Sequence, residues 1–357
     1  MRRGENIYKR KDGRWEGRYI ASRDAKGKAC YRSIYAKTYA EVKEKLRSVS
    51  KADTPVSKSL FESIGNNWLI SVKLRCKLST YNKYSSTYHN HLLPEFEGEY
   101  ICDINSRYIE EMLSAKNAVS DKTKADILSM MKQIVKYAEH CGFHIDHTVY
   151  NLIIRRTPTT TRVLSPEEQK RLEEYLLTNA DLISIGTYLT LYSGLRIGEL
   201  CALKRDNFDF ATGVIHVDAT MQRLGVENDK AKTKVIITDP KSKCSVRDIP
   251  VPERIMLICR HYYYNMPGDS YILTGNRNYI EPRLLRYHFQ QYAKACNLED
   301  VHFHTLRHSY STRCIECGVD PKSLSEILGH HDVNITLNRY VHPSLELKKQ
   351  NIEKLCY

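Results

Sequence analysis

From Arg155 to Arg162 the chain reads Arg-Arg-Thr-Pro-Thr-Thr-Thr-Arg, a run of basic and hydroxyl side chains around a proline that offers no apolar group to a core. Such a segment cannot be buried, so whatever lies on either side must close a core of its own. Lys51 to Lys58, interrupted by Pro55, makes a second joint of the same kind. At 357 residues the chain is longer than one ordinary core organises. The two joints therefore divide it into three pieces, 1–51, 59–154 and 163–357. The expected class is multi-domain α+β: a small three-stranded β-sheet domain, an all-α domain, and a mainly α domain with a small antiparallel sheet.

Local pattern supports each piece. The first reads as strands over Ile7 to Arg10, Trp15 to Ser22 and Ala29 to Ala36, with turns at Lys11-Asp12-Gly13 and Asp24-Ala25-Lys26-Gly27. A helix should follow at Thr38-Tyr39-Ala40-Glu41, a capping box in which hydroxyl and carboxylate each satisfy an orphan backbone N–H. In the second piece Phe61, Ile64, Trp68 and Val72 recur at helical spacing, as do Ile127, Met130, Met131, Ile134, Val135 and Ala138. Between them Ser79, Thr80, Tyr81, Lys83, Tyr84, Ser86 and Thr87 form a hydroxyl-rich run, which suits either phosphate contacts or a solvated helix face. The third piece opens on Ser165-Pro166-Glu167-Glu168, a cap with proline at the first helical position and glutamate two residues beyond it.

The net charge of +13 points to a polyanionic partner. Roughly +10 of the excess sits between Met1 and Lys51, so the first piece is an electrostatic arm. Arg14, Arg18, Arg23, Lys28 and Arg32, interleaved with Trp15, Tyr19 and Tyr31, give a twisted sheet the width and charge to enter a DNA groove. The same aromatics also suit the core of a small domain. No stretch approaches the roughly 20 apolar residues of a membrane span, and the polar N-terminus lacks a secretory signal. A cytoplasmic location without membrane contact is expected. Eleven scattered cysteines suit a reducing compartment. The one CxxC, Cys314 and Cys317, lacks the second half a zinc site requires, so no metal or other cofactor is expected.

Four short signals stand in order in the last part of the chain: Ser193-Gly194-Leu195-Arg196-Ile197-Gly198-Glu199-Leu200, Pro240-Lys241-Ser242-Lys243, His304-Thr305-Leu306-Arg307, and Leu328-Gly329-His330 followed by Tyr340. Singly they are weak, since a lone HxxR or a lone tyrosine among twenty-five means little. As an ordered set they resemble the tyrosine recombinases, the family of phage integrases, chromosome-dimer resolving recombinases and conjugative-transposon integrases. The layout is most similar to integrases of conjugative elements. The resemblance runs from about Ser165 to His342, extends to the basic arm, and is weakest in the helical middle. It implies an arm-type DNA-binding domain, a helical core-binding (SAM-like) domain and a catalytic domain.

Breaking a phosphodiester without a metal requires a nucleophile, donors for the non-bridging oxygens, and an acid for the departing 5′ oxygen. Arg196 and Arg307 suit the clamp, because a planar guanidinium is always charged and donates two parallel hydrogen bonds. By resemblance, His304 and His330 add donors or a proton path to the same phosphate. Val235-Ile236-Ile237 and Val246-Arg247-Asp248-Ile249-Pro250 read as a hairpin with lysines at its turn, and the resemblance implies that Lys241, with Lys243 its local competitor, is the general acid. Tyr340 is the nucleophile, forming a 3′-phosphotyrosine that conserves bond energy, so that rejoining requires no ATP. Glu199, three residues after Arg196 on one helix face, supports the site or forms an ordinary ion pair.

The resemblance further implies double-stranded DNA with core-type and arm-type sites as partner, a tetrameric synapse, and an excisionase or host DNA-bending protein as accessory. The tail from Ser344, with Leu345, Ile352 and Leu355 on one stripe, is expected to dock on a neighbouring protomer or fold back on its own domain. Three other readings compete: a type IB topoisomerase, a non-catalytic sequence-specific DNA-binding protein, and a metal hydrolase built on His302, His304 and His308.

Overall fold

The computed structural model describes residues 6–23, 29–52, 59–155, 161–225, 233–238 and 246–340, together with 349, 352 and 353. The chain falls into two compact units, 1–157 and 158–357.

In the first unit, strands β1 (Ile7–Lys9), β2 (Trp15–Arg23) and β3 (Ala29–Ala36) form an antiparallel meander in that order. Gly13, at φ 87°, makes the first turn in a left-handed conformation that costs glycine no strain. Helix α1 (Tyr39–Ala52) covers one face of the sheet. Gly17 permits that approach, because a Cβ there would stand 2.6 Å from Val42 Cγ1 and 2.7 Å from Leu46 Cδ1. The Thr38 hydroxyl accepts the Glu41 amide as the capping pattern predicts, whereas the Glu41 carboxylate accepts the amide of Lys37, one residue outside the box.

The remainder of this unit is helical: α2 (Phe61–Arg75), α3 (Leu78–Thr87) continuing through a π turn into α4 (Leu93–Phe96), α5 (Ser106–Ala115) and α6 (Asp121–His140). The two predicted stripes are its core. Phe61, Ile64, Trp68 and Val72 of α2 and Ile127, Met130, Met131, Ile134, Val135 and Ala138 of α6 are all buried in one cluster. In the hydroxyl-rich run, Tyr81 turns inward and Tyr84 packs against Trp68, while Ser79, Lys83 and Ser86 are less buried.

The second unit begins with α7 (Pro166–Thr178), and here the capping box is complete: the Ser165 hydroxyl accepts the Glu168 amide, and the Glu168 carboxylate accepts the Ser165 amide at 2.8 Å. The buried helix α8 (Leu182–Ser193) and the short α9 (Ile197–Ala202) follow. The β region departs from the expected hairpin. Strands β4 (Phe208–Asp209), β5 (Val214–Val217) and β8 (Arg247–Pro250) form one antiparallel sheet, and β6 (Thr220–Gly225) and β7 (Thr233–Thr238) form a separate two-stranded one.

Val235-Ile236-Ile237 therefore pairs with Arg223-Gln222-Met221 and not with the run after Val246, whose partner is Val214–Val217. The reason lies in burial. Arg247 and Ile249 of β8 share one inward face and require a neighbour of matching parity, which Ile215 and Val217 provide, whereas β7 is exposed at its ends and only half-buried at Val235 and Ile236. Helices α10 (Glu253–Tyr263), α11 (Pro282–Ala295), α12 (Phe303–Glu316), α13 (Pro321–Leu328) and α14 (Val333–Tyr340) complete the unit.

Candidate active site

The site assembles around the C-terminal end of α13. A helix end leaves its last carbonyls without intrahelical partners, and the macrodipole concentrates negative charge there. Three arginines from three different elements donate to three consecutive carbonyls at this end. Arg247 Nε donates to Ile327 O (2.5 Å), Arg307 Nη2 to Leu328 O (2.6 Å) and Arg196 Nη2 to Gly329 O (3.1 Å). Arg307 Nη1 also donates to Gly194 O at 2.7 Å, which ties the end of α8 to the same cluster. Gly194 closes α8 at φ 63°, and a Cβ there would meet the Tyr310 ring at 2.6 Å. Gly198 is held as closely from the other side, its Cβ position 2.6 Å from the Met221 carbonyl oxygen. The glycines of the Ser193–Leu200 motif are thus what lets Arg196 sit between α13 and β6.

Arg196 is the N-cap of α9, and Glu199 stands at its third helical position. The Glu199 carboxylate accepts the Arg196 amide (2.9 Å) and Arg196 Nη1 (2.6 Å), and on its other edge accepts both terminal nitrogens of Arg247 (3.1 and 2.9 Å). Burial by itself would push this carboxyl up, but the hydrogen bonds and charge of Arg247, with the charge of Arg196, hold it down at about 2. Arg307, 1% exposed, shows the opposite balance: burial and the neighbouring Arg196 charge push it down to about 9. It remains charged at neutral pH. Three guanidinium groups thus gather around one carboxylate, a local excess of positive charge suited to an anion.

His330 follows directly on the clasped carbonyls. Arginine only donates, so the Arg307 Nη2 contact at 3.1 Å makes His330 Nε2 an acceptor, and Nδ1–H then donates to Thr336 Oγ1 at 2.8 Å. His304 lies one turn before Arg307 on α12, exposed, beside a cleft of about 410 Å³ lined by Ile197, Arg286, Gln290, His302 and Phe303. Tyr340 ends α14, is 7% exposed, and packs on Leu324 and Leu328. Its hydroxyl is 2.7 Å from Nδ1 of His308, whose ring stands edge-on to His304 with centroids 4.4 Å apart.

Arg196, Glu199, Arg307, His330 and Tyr340 are therefore brought together, with His304 one turn away. Lys241 and Lys243 lie outside the described residues, as do most of the tail and the turn carrying Lys28. Sequence pattern passes over two residues here. Arg247 is betrayed by parity, since an arginine that shares a strand face with Ile249 must point inward. His308, which the pattern offers only as a metal ligand, sits one turn after His304. Among the described residues no cluster of three or more His, Cys, Asp or Glu is placed to hold a metal ion, so the hydrolase reading finds no ligand set there. Likewise, no helix among them is long and apolar enough to cross a membrane. Cys314 and Cys317 are free thiols.

On the arm, Glu16 is buried in the open face of the sheet and accepts from Arg10, Arg18 and Ser33, with Ser33 the largest of the influences that hold it down at about 2. Cross-strand register puts Tyr8, Arg18, Tyr31 and Tyr35 on that face, and the three tyrosines are 45%, 59% and 42% exposed. Arg14 lies beside it, over the Tyr35 ring. Trp15, Tyr19 and Arg32 belong to the face that α1 covers, where Trp15 meets Tyr39 edge-on. The backbone of Arg23 pairs with that of Ala29.

The sequence profile of the Phage integrase family matches residues 162–346, and that of the phage integrase N-terminal SAM-like domain matches residues 60–116. A XerC-like tyrosine recombinase of Caldanaerobacter subterraneus subsp. tengcongensis is 27% identical, over 93% of each chain. The transposase of transposon Tn916 from Enterococcus faecalis is 25% identical over 54% of this chain and 52% of its own. In fold, the chain is similar to the Tn1549 transposon integrase in complex with a circular intermediate DNA (TM-score 0.68, 19% identity, 82% of this chain and 99% of that one). It is also similar to a lambda integrase tetramer bound to a Holliday junction (TM-score 0.60, 16% identity, 97% and 99%). The chain belongs to the phage integrase family and is a tyrosine-type site-specific DNA recombinase.

Proposed function

We propose that the chain cuts and rejoins DNA through a covalent bond to Tyr340, in integration and excision of a mobile element of the conjugative-transposon kind. The supporting observation is the convergence of Arg196, Arg307 and His330 on one helix end, with the Tyr340 phenol bonded to His308, the residue after Arg307. In this reading Arg196 and Arg307 clamp the non-bridging oxygens, and Glu199 with Arg247 sets the angle of Arg196. His304 and His330 assist at the phosphate, while Lys241 protonates the leaving 5′ oxygen. The depressed Arg307 fits this role, because a phosphate would add negative charge where burial and the neighbouring Arg196 outweigh that of Glu199.

The same reading assigns three domains. The arm, 1–51, holds arm-type sites through the open face that carries Arg18 with Arg14 beside it, and Arg23, Lys28 and Arg32 are DNA contacts in the same reading. Residues 59–154 bind core-type DNA, and 163–357 carry out catalysis. Four protomers form the synapse, with an excisionase or a host DNA-bending protein as accessory, in the cytoplasm. A nicked suicide duplex tests the chemistry: the intact chain should leave a protein–DNA adduct that survives denaturation. Relaxation of any plasmid without a paired attachment sequence would instead favour a topoisomerase.

A further inference from the structure

We propose that His308 is the base that takes the proton from the Tyr340 phenol during cleavage. The inference rests on the reading of Tyr340 as nucleophile and adds a residue to it. A phenol loses its proton near pH 10, so at neutral pH it needs an acceptor within hydrogen-bond reach, roughly 2.6–3.2 Å. His308 Nδ1 stands 2.7 Å from the Tyr340 hydroxyl oxygen, and both side chains are 7% exposed. The ring centroids lie 5.7 Å apart. With its proton on Nε2, His308 presents the Nδ1 lone pair to the phenol.

His330 cannot serve in the same way. Its Nε2 lone pair is engaged by Arg307, and its Nδ1–H points to Thr336. His304 is exposed beside the cleft, and its ring stands edge-on to that of His308. Tyr340 from α14 and His304 from its own helix face the His308 ring, and the Arg307 charge lies one residue away.

In the cleavage step the Tyr340 oxygen forms a bond to phosphorus while its proton passes to Nδ1, leaving an imidazolium. The bond from phosphorus to the 5′ oxygen breaks, and that oxygen takes a proton from the general acid. On rejoining, a 5′ hydroxyl bonds to phosphorus and returns its proton to the general acid, while the bond to the Tyr340 oxygen breaks and the phenol recovers its proton from His308.

The test uses the full chain and a pool of nicked duplexes of randomised sequence, from which covalent adducts of the intact chain are captured and their sequence is used thereafter. If the intact chain forms no adduct, or Tyr340→Phe still forms one, the nucleophile reading falls and this proposal with it. Given a Tyr340-dependent adduct, His308→Ala and His308→Gln should each slow its formation by about 100-fold or more at neutral pH. The deficit should shrink about tenfold per pH unit as the medium supplies phenolate. A duplex with sulfur in place of the bridging 5′ oxygen needs no acid, so it should leave the His308 deficit intact while rescuing Lys241→Ala. Variant rates within about threefold of the intact chain, or a deficit indifferent to pH, overturn the proposal. If neither variant folds, the intact chain decides on the sulfur duplex: its rate should level off above about pH 7, and a rise continuing to about pH 9 would mean that no base acts on the phenol.

Discussion

Glu199 carries the charge balance of the site, and its titration can be followed in the stability of the protein. Its folded value of about 2 lies below the ordinary 4.5. The stabilisation it contributes is therefore complete above about pH 4.5 and is lost as pH falls from there towards about 2, amounting to about 3 kcal/mol. Thermal unfolding of the intact chain and of Glu199→Gln should show a gap that narrows across this window; a constant gap would mean that the carboxylate charge does not matter. Tyr340→Phe should abolish the adduct and leave retention of DNA in a gel-shift assay nearly unchanged. Arg196→Ala and Arg307→Ala should each slow single-turnover cleavage by about 10²–10³, the usual loss on removing one donor to transition-state charge.

Among the elements, the end of α13 organises the site, because arginines from three separate elements all donate to it. Arg247 links β8 both to Ile327 O and to Glu199, so it supports the clamp residue without itself ranking among the four signals read from the sequence. Arg247→Met should cost about 3–5 kcal/mol in denaturant unfolding, because it leaves a buried carboxylate with one partner fewer. Cleavage should fall with it. If the variant unfolds like the intact chain, Glu199 does not depend on Arg247. Gly198→Ala belongs to the same scale: with its new Cβ against the Met221 carbonyl, α9 must part from β6, for a loss of about 1–3 kcal/mol and a displaced Arg196.

For the molecule as a whole, charge and chemistry are kept apart. The arm holds most of the excess positive charge, while the second unit holds the convergent arginines. Removing residues 1–51 should weaken binding to arm-type DNA and flatten its salt dependence, by about 0.9 in log–log slope for each phosphate the arm no longer neutralises. Core-site cleavage should persist. Equal loss of both activities on this deletion would show that the arm is part of the catalytic assembly and not a separate DNA-binding module.

The sequence alone determined what is local. Apolar spacing along α2 and α6, the Ser165–Glu168 box and the turn at Gly13 follow from neighbours a few residues apart, and each was legible for that reason. The ordered motifs offered Arg196, Arg307, His330 and Tyr340 as candidates by resemblance to a known family, and the fold brings these four together. Tertiary structure decided the rest. Strand pairing joins segments far apart in sequence, so β7 and β8, expected as one hairpin, went to different partners once burial set their faces. Parity with Ile249 marks Arg247 as inward-facing, but its partner, a buried carboxylate, and that of His308, a phenol, are long-range pairings that leave no mark in local sequence.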